Sequence, residues 1–253
     1  MAGPADLIHG IIRDIPSISL SVWRKRGSSV ASHMKTLIIN DQAFELALLA
    51  PALTQRGARV IGATDNVADA MDLFELHKPK VVIVDIRFNK QHAIDLCKEF
   101  RSINPLVGLI IIADCPDLRI LGITVGEILY GSQLILKSAA NVVELIYQSI
   151  ALSILAAKSK QTYLWAGQVD IINGPQFVSI LAGLTDIQIE TMRLLGSGLS
   201  NSEISRVRFV TEKSVEQIVT KISQYFRVGS DPTKNQRVLL AGQYFKWVGA
   251  LRK

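Results

Sequence analysis

Five short runs rich in Val, Ile and Leu recur along the N-terminal part of the chain. Each run is almost continuously apolar, as strands buried on both faces are, and helix-length amphipathic stretches separate the runs. This alternation predicts an α/β fold: a doubly wound, five-stranded parallel sheet with helices on both faces. The predicted strands are Thr36–Ile39, Arg59–Ala63, Val81–Val84, Leu109–Ile112 and Leu134–Leu136.

The stretches between the runs predict helices near residues 42–56, 66–77, 91–102, 117–129 and 139–157. Sheets of this class form their sites at the carboxyl ends of the strands, where the loops meet. Polar and charged residues stand at several of those ends. They are Asn40 and Asp41 after the first strand, Asp85 after the third, Asp114 after the fourth and Lys137 after the fifth.

Composition excludes several classes of protein. With 253 residues, 49% of them hydrophobic and 20% charged, the chain can fold as one or two globular domains. Cys97 and Cys115 form neither a disulfide framework nor a metal motif, which suits a reducing cytoplasm. No uninterrupted apolar run reaches about 18 residues, so we expect no membrane partner. The net charge of +6 permits an anionic partner such as nucleic acid.

Residues 1–33 do not resemble a secretion signal, because the apolar piece Leu7–Ile12 is short and its basic cluster follows it. Met34 stands directly before the first predicted strand. We therefore interpret residues 1–33 as an N-terminal extension that is either disordered or a mis-annotated upstream stretch. The α/β domain is expected over residues 34–157.

The chain changes character after this domain. Residues 158–180 are polar and contain a turn signal at Asn173-Gly174-Pro175, so they are interpreted as a linker. Residues 181–253 predict an all-α domain of four helices, two of which begin with capping boxes, Thr185 with Gln188 and Ser200 with Glu203. This last segment carries 11 Lys or Arg residues against 6 Asp or Glu, which suits a phosphate backbone.

The order helix, short turn, short helix, turn and longer helix is that of a helix-turn-helix. The sequence from Leu184 to Ile222 resembles the LuxR/NarL-type DNA-binding domain, and three of its pieces match. They are Gly198–Ser205, the start of the next helix at Thr211–Val215, and Val238–Ala241. The resemblance implies a helix over 211–226 that reads the major groove of double-stranded DNA, and a homodimer.

The predicted reading helix has an apolar face and a polar face. The resemblance implies that Gln217 and Thr220 read bases and that Lys213 and Lys221 contact phosphates. Glu216 departs from the family, which has a cation there, and its carboxylate repels phosphate. The five residues expected to contact DNA are Lys213, Glu216, Gln217, Thr220 and Lys221.

The α/β region from Lys35 to Leu155 resembles response-regulator receiver domains. That resemblance implies that Asp85 is a phosphoacceptor candidate and that Lys137 contacts the phosphoryl group. It also implies that Asp41 and Asp85 can hold Mg²⁺, since a hard cation prefers clustered oxygens. Asn40, Asp41 and Lys137 complete the expected receiver pocket, and no cofactor other than possible Mg²⁺ is expected.

The receiver pattern is incomplete. Asn40 replaces a carboxylate, no hydroxyl residue lies between Leu106 and Arg119, and Leu134 occupies the position of the aromatic switch residue. The loop after Asp85 is Arg87–His92 in place of a Pro-Gly-containing loop. We therefore favour an atypical receiver, which is constitutive, dimerising or ligand-tuned, over conventional control by phosphorylation. Whether a sensor kinase is a partner is left open.

Three functions fit these features. The first is a sequence-specific, dimeric transcription regulator of the bacterial cytoplasm, which is not an enzyme. The second is a protein-interaction module whose helix-turn-helix is degenerate, since Glu216 lies on the reading face. The third is a receiver that catalyses its own phosphorylation, and Asn40 and the missing hydroxyl argue against it. The histidines have no metal-ligand spacing, and no phosphate-binding loop is present.

Overall fold

The computed structural model describes residues 33–88, 93–139, 141–166, 183–228 and 233–248. These residues form two compact units. Within the described ranges, the sheet unit contains residues 33–113 and 126–166, and the helical unit contains residues 114–125 and 183–248. Residues 1–32 of the predicted N-terminal extension lie outside the described ranges.

The sheet is parallel throughout, and its order is β2-β1-β3-β4-β5-β6. This order places the first strand inside the sheet, next to the third, as in a doubly wound fold. The five predicted strands are confirmed. The strands are β1 Lys35–Ile39, β2 Arg59–Thr64, β3 Val81–Asp85, β4 Gly108–Ala113, β5 Gln133–Leu136 and β6 Leu164–Trp165.

The sixth strand corrects the five-stranded prediction. β6 lies inside the predicted linker 158–180 and pairs with β5, through bonds from Leu164 N to Ser132 O at 3.0 Å and from Ala166 N to Leu134 O at 2.8 Å. Two residues are too few to show a strand period in sequence, so only the exposed edge of β5 makes them a strand. The rest of the predicted linker lies outside the described residues.

Four helices cover the sheet: α1 Ala43–Gln55, α2 Val67–His77, α3 Ala93–Ile103 and α4 Val142–Lys158. Their apolar faces and the strands form a core, in which the rings of Phe74 and Phe100 stack at 4.3 Å. Burial in this core raises the pKa of the Cys97 thiol to about 12, so Cys97 stays a neutral packing residue. Every helix in the described ranges is too short or too polar to span a lipid bilayer.

The helical unit contains α5 Asp186–Gly196, α6 Asn201–Val207, α7 Glu212–Tyr225 and α8 Gln236–Val248. The capping box predicted for Thr185 and Gln188 is confirmed at the start of α5. The second box forms in one direction: Glu203 N donates to Ser200 Oγ at 3.2 Å. The carboxylate of Glu203 instead accepts from Arg206 Nη1 at 2.6 Å.

The helix predicted over 117–129 is wrong. Two short 3₁₀ turns occupy that stretch, Leu118–Leu121 and Val125–Glu127. The first turn contributes Ile120 to the core of the helical unit, and Arg119 forms ion pairs of 2.7 Å with Asp117 and with Asp186. These tertiary partners outweigh the weak helical periodicity of the segment.

Gly131 marks the closest approach of backbone to backbone in the sheet unit among the described glycines. Its φ is +71°, and an added Cβ would lie 2.5 Å from Ala157 N. We expect Gly131→Ala to destabilise the protein by about 3 kcal/mol, because it combines a left-handed backbone with a steric clash. Denaturant unfolding measures this, with Gly126→Ala as the control, since a Cβ at Gly126 meets nothing within 4 Å. Equal stability of the two variants would refute the packing described here.

Candidate strand-end pocket and nucleic-acid interface

Parallel pairing brings three predicted pocket residues to one edge of the sheet. Asn40 directly follows β1, Asp85 ends β3 and Lys137 directly follows β5. The backbone N–H of Lys137 donates a hydrogen bond to Ala113 O at 2.9 Å. Ala113 ends β4, which lies between β3 and β5 in the sheet. The structure therefore brings together Asn40, Asp85 and Lys137, as the sequence predicts.

A buried ion pair joins Asp85 and Lys137. The Lys137 Nζ contacts Asp85 Oδ2, and the side chains are only 2% and 16% exposed for Asp85 and Lys137. The second carboxylate oxygen, Oδ1, accepts the backbone N–H of Arg87 at 2.9 Å. A buried carboxylate needs such partners because water does not solvate it. Both oxygens of the phosphoacceptor candidate are thus engaged by the protein.

Sequence reasoning missed Glu45, which lies in the first turn of α1. Its Oε2 lies 2.7 Å from Lys137 Nζ and accepts from Asn40 Nδ2 at 2.8 Å. Glu45 therefore restores, from a helix, the negative charge that Asn40 removes from the strand end. The available signal was an acidic residue in the first turn of the helix that directly follows β1, because that turn starts at the carboxyl end of the strand.

Both polar atoms of the Asn40 side chain form hydrogen bonds. While its Nδ2 donates to Glu45, its Oδ1 accepts the backbone N–H of Gln42 at 2.8 Å. Asn40 is 1% exposed, and Asp41 beside it is exposed. The strand-end Asn40 thus acts as a connector between the loop after β1 and the start of α1.

The position where receivers place a hydroxyl is apolar here. Ala113 ends β4, is fully buried and pairs in register with Leu136 of β5. Leu134, at the expected switch position, is also fully buried. Residues 89–92 of the loop after Asp85 lie outside the described residues.

Magnesium at Asp41 and Asp85 stays a prediction. Within the described residues, no three His, Cys, Asp or Glu side chains are grouped as a metal site would require. Mg²⁺ demands several oxygen ligands, and here both Asp85 oxygens accept hydrogens from Arg87 N and Lys137 Nζ. An ionised carboxylate offers about four lone-pair sites, so these two contacts do not by themselves prevent Asp85 from coordinating a metal ion.

The reading helix α7 has the two faces that the sequence predicts. Val215, Val219 and Ile222 are buried in the core of the helical unit. The opposite face is exposed, and it contains all five residues expected to contact DNA, Lys213, Glu216, Gln217, Thr220 and Lys221. Thr220 Oγ1 donates to Glu216 O at 2.9 Å, within the helix.

Arg208, counted among the basic residues of this segment, is a structural residue. Its side chain is 8% exposed; Nε pairs with Glu190 Oε2 at 3.1 Å and Nη1 donates to Thr191 Oγ1 at 2.9 Å. These bonds join the turn after α6 to α5, so they set how α7 is presented. The cations left exposed on this part of the unit include Arg206, Lys213 and Lys221.

Comparison with known proteins agrees with this architecture. Residues 36–121 match the family described as the response regulator receiver domain. Residues 36–121 of the 253-residue chain are therefore similar to receiver domains. Over 77 residues the chain is 35% identical to the transcriptional regulatory protein PdtaR of Mycobacterium tuberculosis, a match that spans 30% of this chain and only 38% of PdtaR.

Longer matches extend the similarity into the helical unit. The chain is 23% identical over 198 residues to BvgA, a putative positive transcription regulator of Bordetella pertussis, in a match that covers 75% of this chain and 89% of BvgA. It is 26% identical over 195 residues to the transcriptional regulatory protein LnrK of Bacillus subtilis, with the same coverage of 75% and 89%.

A solved structure shows the same fold. RcsB, in a structure of two dimers bound to two parallel DNAs, matches with a TM-score of 0.50 and 18% identity, over 85% of this chain and 98% of that chain. A parallel α/β domain followed by a helical domain is therefore common to both proteins.

Lys137 is the cation on which the strand-end pocket depends. We expect Lys137→Met to cost about 3 kcal/mol of unfolding free energy, because Asp85 loses its buried counter-ion. The double variant Lys137→Met with Asp85→Asn should recover most of that loss, because the buried carboxylate is neutralised and the Glu45 carboxylate, 28% exposed, can be solvated. Denaturant unfolding measures both.

Lys98→Met is the control, since Lys98 pairs with Asp95 at the surface, where the two side chains are 47% and 58% exposed. That pair should contribute little to stability, because solvent screens charges at the surface. If Lys137→Met were as mild as Lys98→Met, the ion pair would not hold the pocket together.

Proposed function

We propose that this chain is a response regulator, a sequence-specific DNA-binding transcription regulator that acts as a dimer in the cytoplasm. The observation that carries the proposal is the exposed polar face of α7. The apolar face of the same helix is buried against the rest of the helix-turn-helix unit. Side chains of the Lys, Gln and Thr types can reach both phosphates and base edges in a major groove.

Charge supports the same proposal. Residues 181–253 contain 11 Lys or Arg and 6 Asp or Glu, so their net charge is +5. A basic domain is attracted to the phosphate backbone whatever the sequence, and base contacts then add specificity. RcsB dimers bind DNA in the structure that shares this fold, which supports dimeric binding here.

In this proposal the receiver is an atypical sensory or dimerisation module without an enzymatic role. Lys137 is already paired with two carboxylates, Asp85 and Glu45, and Ala113 supplies no hydroxyl for a phosphoryl group. Treatment with a small phosphodonor followed by intact-mass measurement tests this part. A stable phosphoryl adduct that disappears in Asp85→Asn would instead support conventional phosphorylation control.

Glu216 favours a second candidate function. A carboxylate at the centre of the reading face repels phosphate, which suits a degenerate helix-turn-helix that binds a protein partner. It can also accept a hydrogen bond from a cytosine amino group, which suits DNA. Salt separates the two candidates, since DNA affinity falls steeply with salt through counter-ion release.

The direct test is sequencing of genomic DNA fragments captured by the purified full-length protein at about physiological salt. An enriched palindromic motif would support a dimeric, sequence-specific regulator. Capture without a motif would reduce the proposal to nonspecific electrostatic binding. Failure of capture at low salt as well would favour the protein-interaction candidate.

Lys221 is exposed near the end of α7, where a phosphate contact is expected. Lys221→Ala should weaken binding to all DNA sequences alike and reduce the slope of log affinity against log salt by about 1. Titrations at several salt concentrations measure this. Lys158→Ala, which removes an exposed cation from the sheet unit, is the control and should leave the slope unchanged. An altered sequence preference at unchanged affinity would contradict the assignment.

Gln217 is exposed on the same face, and its amide can pair with an adenine through two hydrogen bonds. Gln217→Ala should relax base preference at one position of each half-site, by about 1–3 kcal/mol. Selection from randomised DNA measures the preference. Gln55→Ala, at the end of α1, should give the wild-type motif, and an unchanged motif with Gln217→Ala would count against a base contact.

A further inference from the structure

Phe209 is the most exposed large apolar residue in the described part of the chain, with 96% of its surface accessible. It lies in the turn between α6 and α7, beside Val207 and Val210, which are 50% and 38% exposed. We name these three residues the turn patch. Scattered apolar residues are normal on a surface, but an entirely exposed aromatic ring within such a patch marks a contact site more often.

The backbone of Phe209 is also unfavourable. Its φ is +53°, in the left-handed region that bulky side chains avoid. Two hydrogen bonds show why: Val210 N donates to Ser205 O at 3.0 Å and Phe209 N donates to Arg206 O at 3.3 Å. This is the Schellman arrangement that ends a helix, and Phe209 stands at the position normally taken by glycine.

Three other described residues other than glycine have positive φ: Lys78, Lys160 and Arg227. Each has a long side chain with a charged end that water solvates well. Phe209 has no polar end, so its strained backbone and its exposed ring are both unfavourable in the isolated protein. Local strain of this kind, at a position where a smaller residue would serve, points to a function for the side chain.

We propose that Phe209 contacts DNA, packing its ring against an apolar edge of the duplex, either a thymine methyl group or the deoxyribose beside it. The inference rests on the proposed function. Thr211, two residues later, is the N-cap of α7, so the ring stands at the N-terminal end of the reading helix. Aromatic and small apolar side chains are the partners that thymine methyl groups take in the major groove.

The surroundings of the turn patch favour DNA over a protein partner. Arg206, whose side chain is 73% exposed and pairs with Glu203, precedes the patch, and the exposed Glu212 and Lys213 follow it. The pair of Arg206 is at the surface, so its guanidinium can exchange the carboxylate for a phosphate, and Lys213 can contact a phosphate on the other side of the ring. The ring would thus add an apolar contact between two phosphate contacts.

The test replaces Phe209 in the full-length protein and measures folding and DNA binding separately. Phe209→Gly should raise the Tm by about 2 °C, because glycine adopts this backbone without strain. The same change should weaken binding about tenfold to DNA enriched by the wild-type protein. Opposite effects on stability and affinity are the signature of a residue retained for binding.

Two further variants make the result specific. Phe209→Asn tolerates the left-handed backbone without the flexibility of glycine, and it should lose affinity by about the same tenfold factor. Lys78→Gly relieves the same kind of strain in the sheet unit, and it should raise the Tm without changing DNA affinity.

Replacing thymine by deoxyuridine in the enriched DNA removes only the methyl group. If the ring contacts a methyl group, the wild type binds the deoxyuridine DNA more weakly than the thymine DNA. Phe209→Gly, which lacks the ring, binds the two DNAs equally. If the ring contacts deoxyribose, the wild type binds both DNAs equally, and the loss in Phe209→Gly remains. Both results support the proposal and identify the atom group contacted.

The proposal is overturned if the wild type binds DNA in a salt-dependent way and both variants, Phe209→Gly and Phe209→Asn, bind that DNA as tightly as the wild type. Absence of DNA binding by the wild type at low salt would instead overturn the proposed function, and the role of Phe209 with it.

Discussion

The parallel register of the sheet is the constraint on which the strand-end pocket depends. Because β1, β3, β4 and β5 are adjacent and run in the same direction, their carboxyl ends lie at one edge. Asn40, Asp85 and Lys137 meet there although nearly a hundred residues separate the first from the last. The carboxylate of Asp85 is then almost out of contact with water, which makes the Lys137 ammonium group a structural requirement.

The pocket has a carboxylate on a helix in place of one at a strand end. A strand-end carboxylate is missing at Asn40, and Glu45 on α1 brings a carboxylate to Lys137 instead. The lysine is therefore held from two elements, a strand and a helix. This arrangement connects the loop after β1 to the start of α1, and it leaves Asp85 with both oxygens bonded.

In the helical unit the corresponding constraint is the placement of α7. Capping at Thr185, Ser200 and Thr211 begins α5, α6 and α7 at defined residues. Arg208 then joins the turn after α6 to α5, and the buried stripe of α7 packs on that frame. The polar face of α7 is exposed because the buried stripe on its other side makes the contacts with the rest of the unit. Phe209, exposed at the same turn, gains nothing from folding, which is why a binding role accounts for it.

The sequence by itself determined the five strands, most helices and the residues Asn40, Asp85 and Lys137, because buried strands and amphipathic helices leave local periodicities. It also determined which face of α7 is polar. Only the tertiary structure decided the rest. β6 forms because the edge of β5 is available for pairing. The 117–129 stretch is not a helix, because Arg119 and Ile120 have partners far along the chain. Glu45 contacts Lys137, which lies 92 residues away in the sequence. Such partners leave no periodic signal in sequence, since the energy of a long-range contact depends on where the whole fold places both groups.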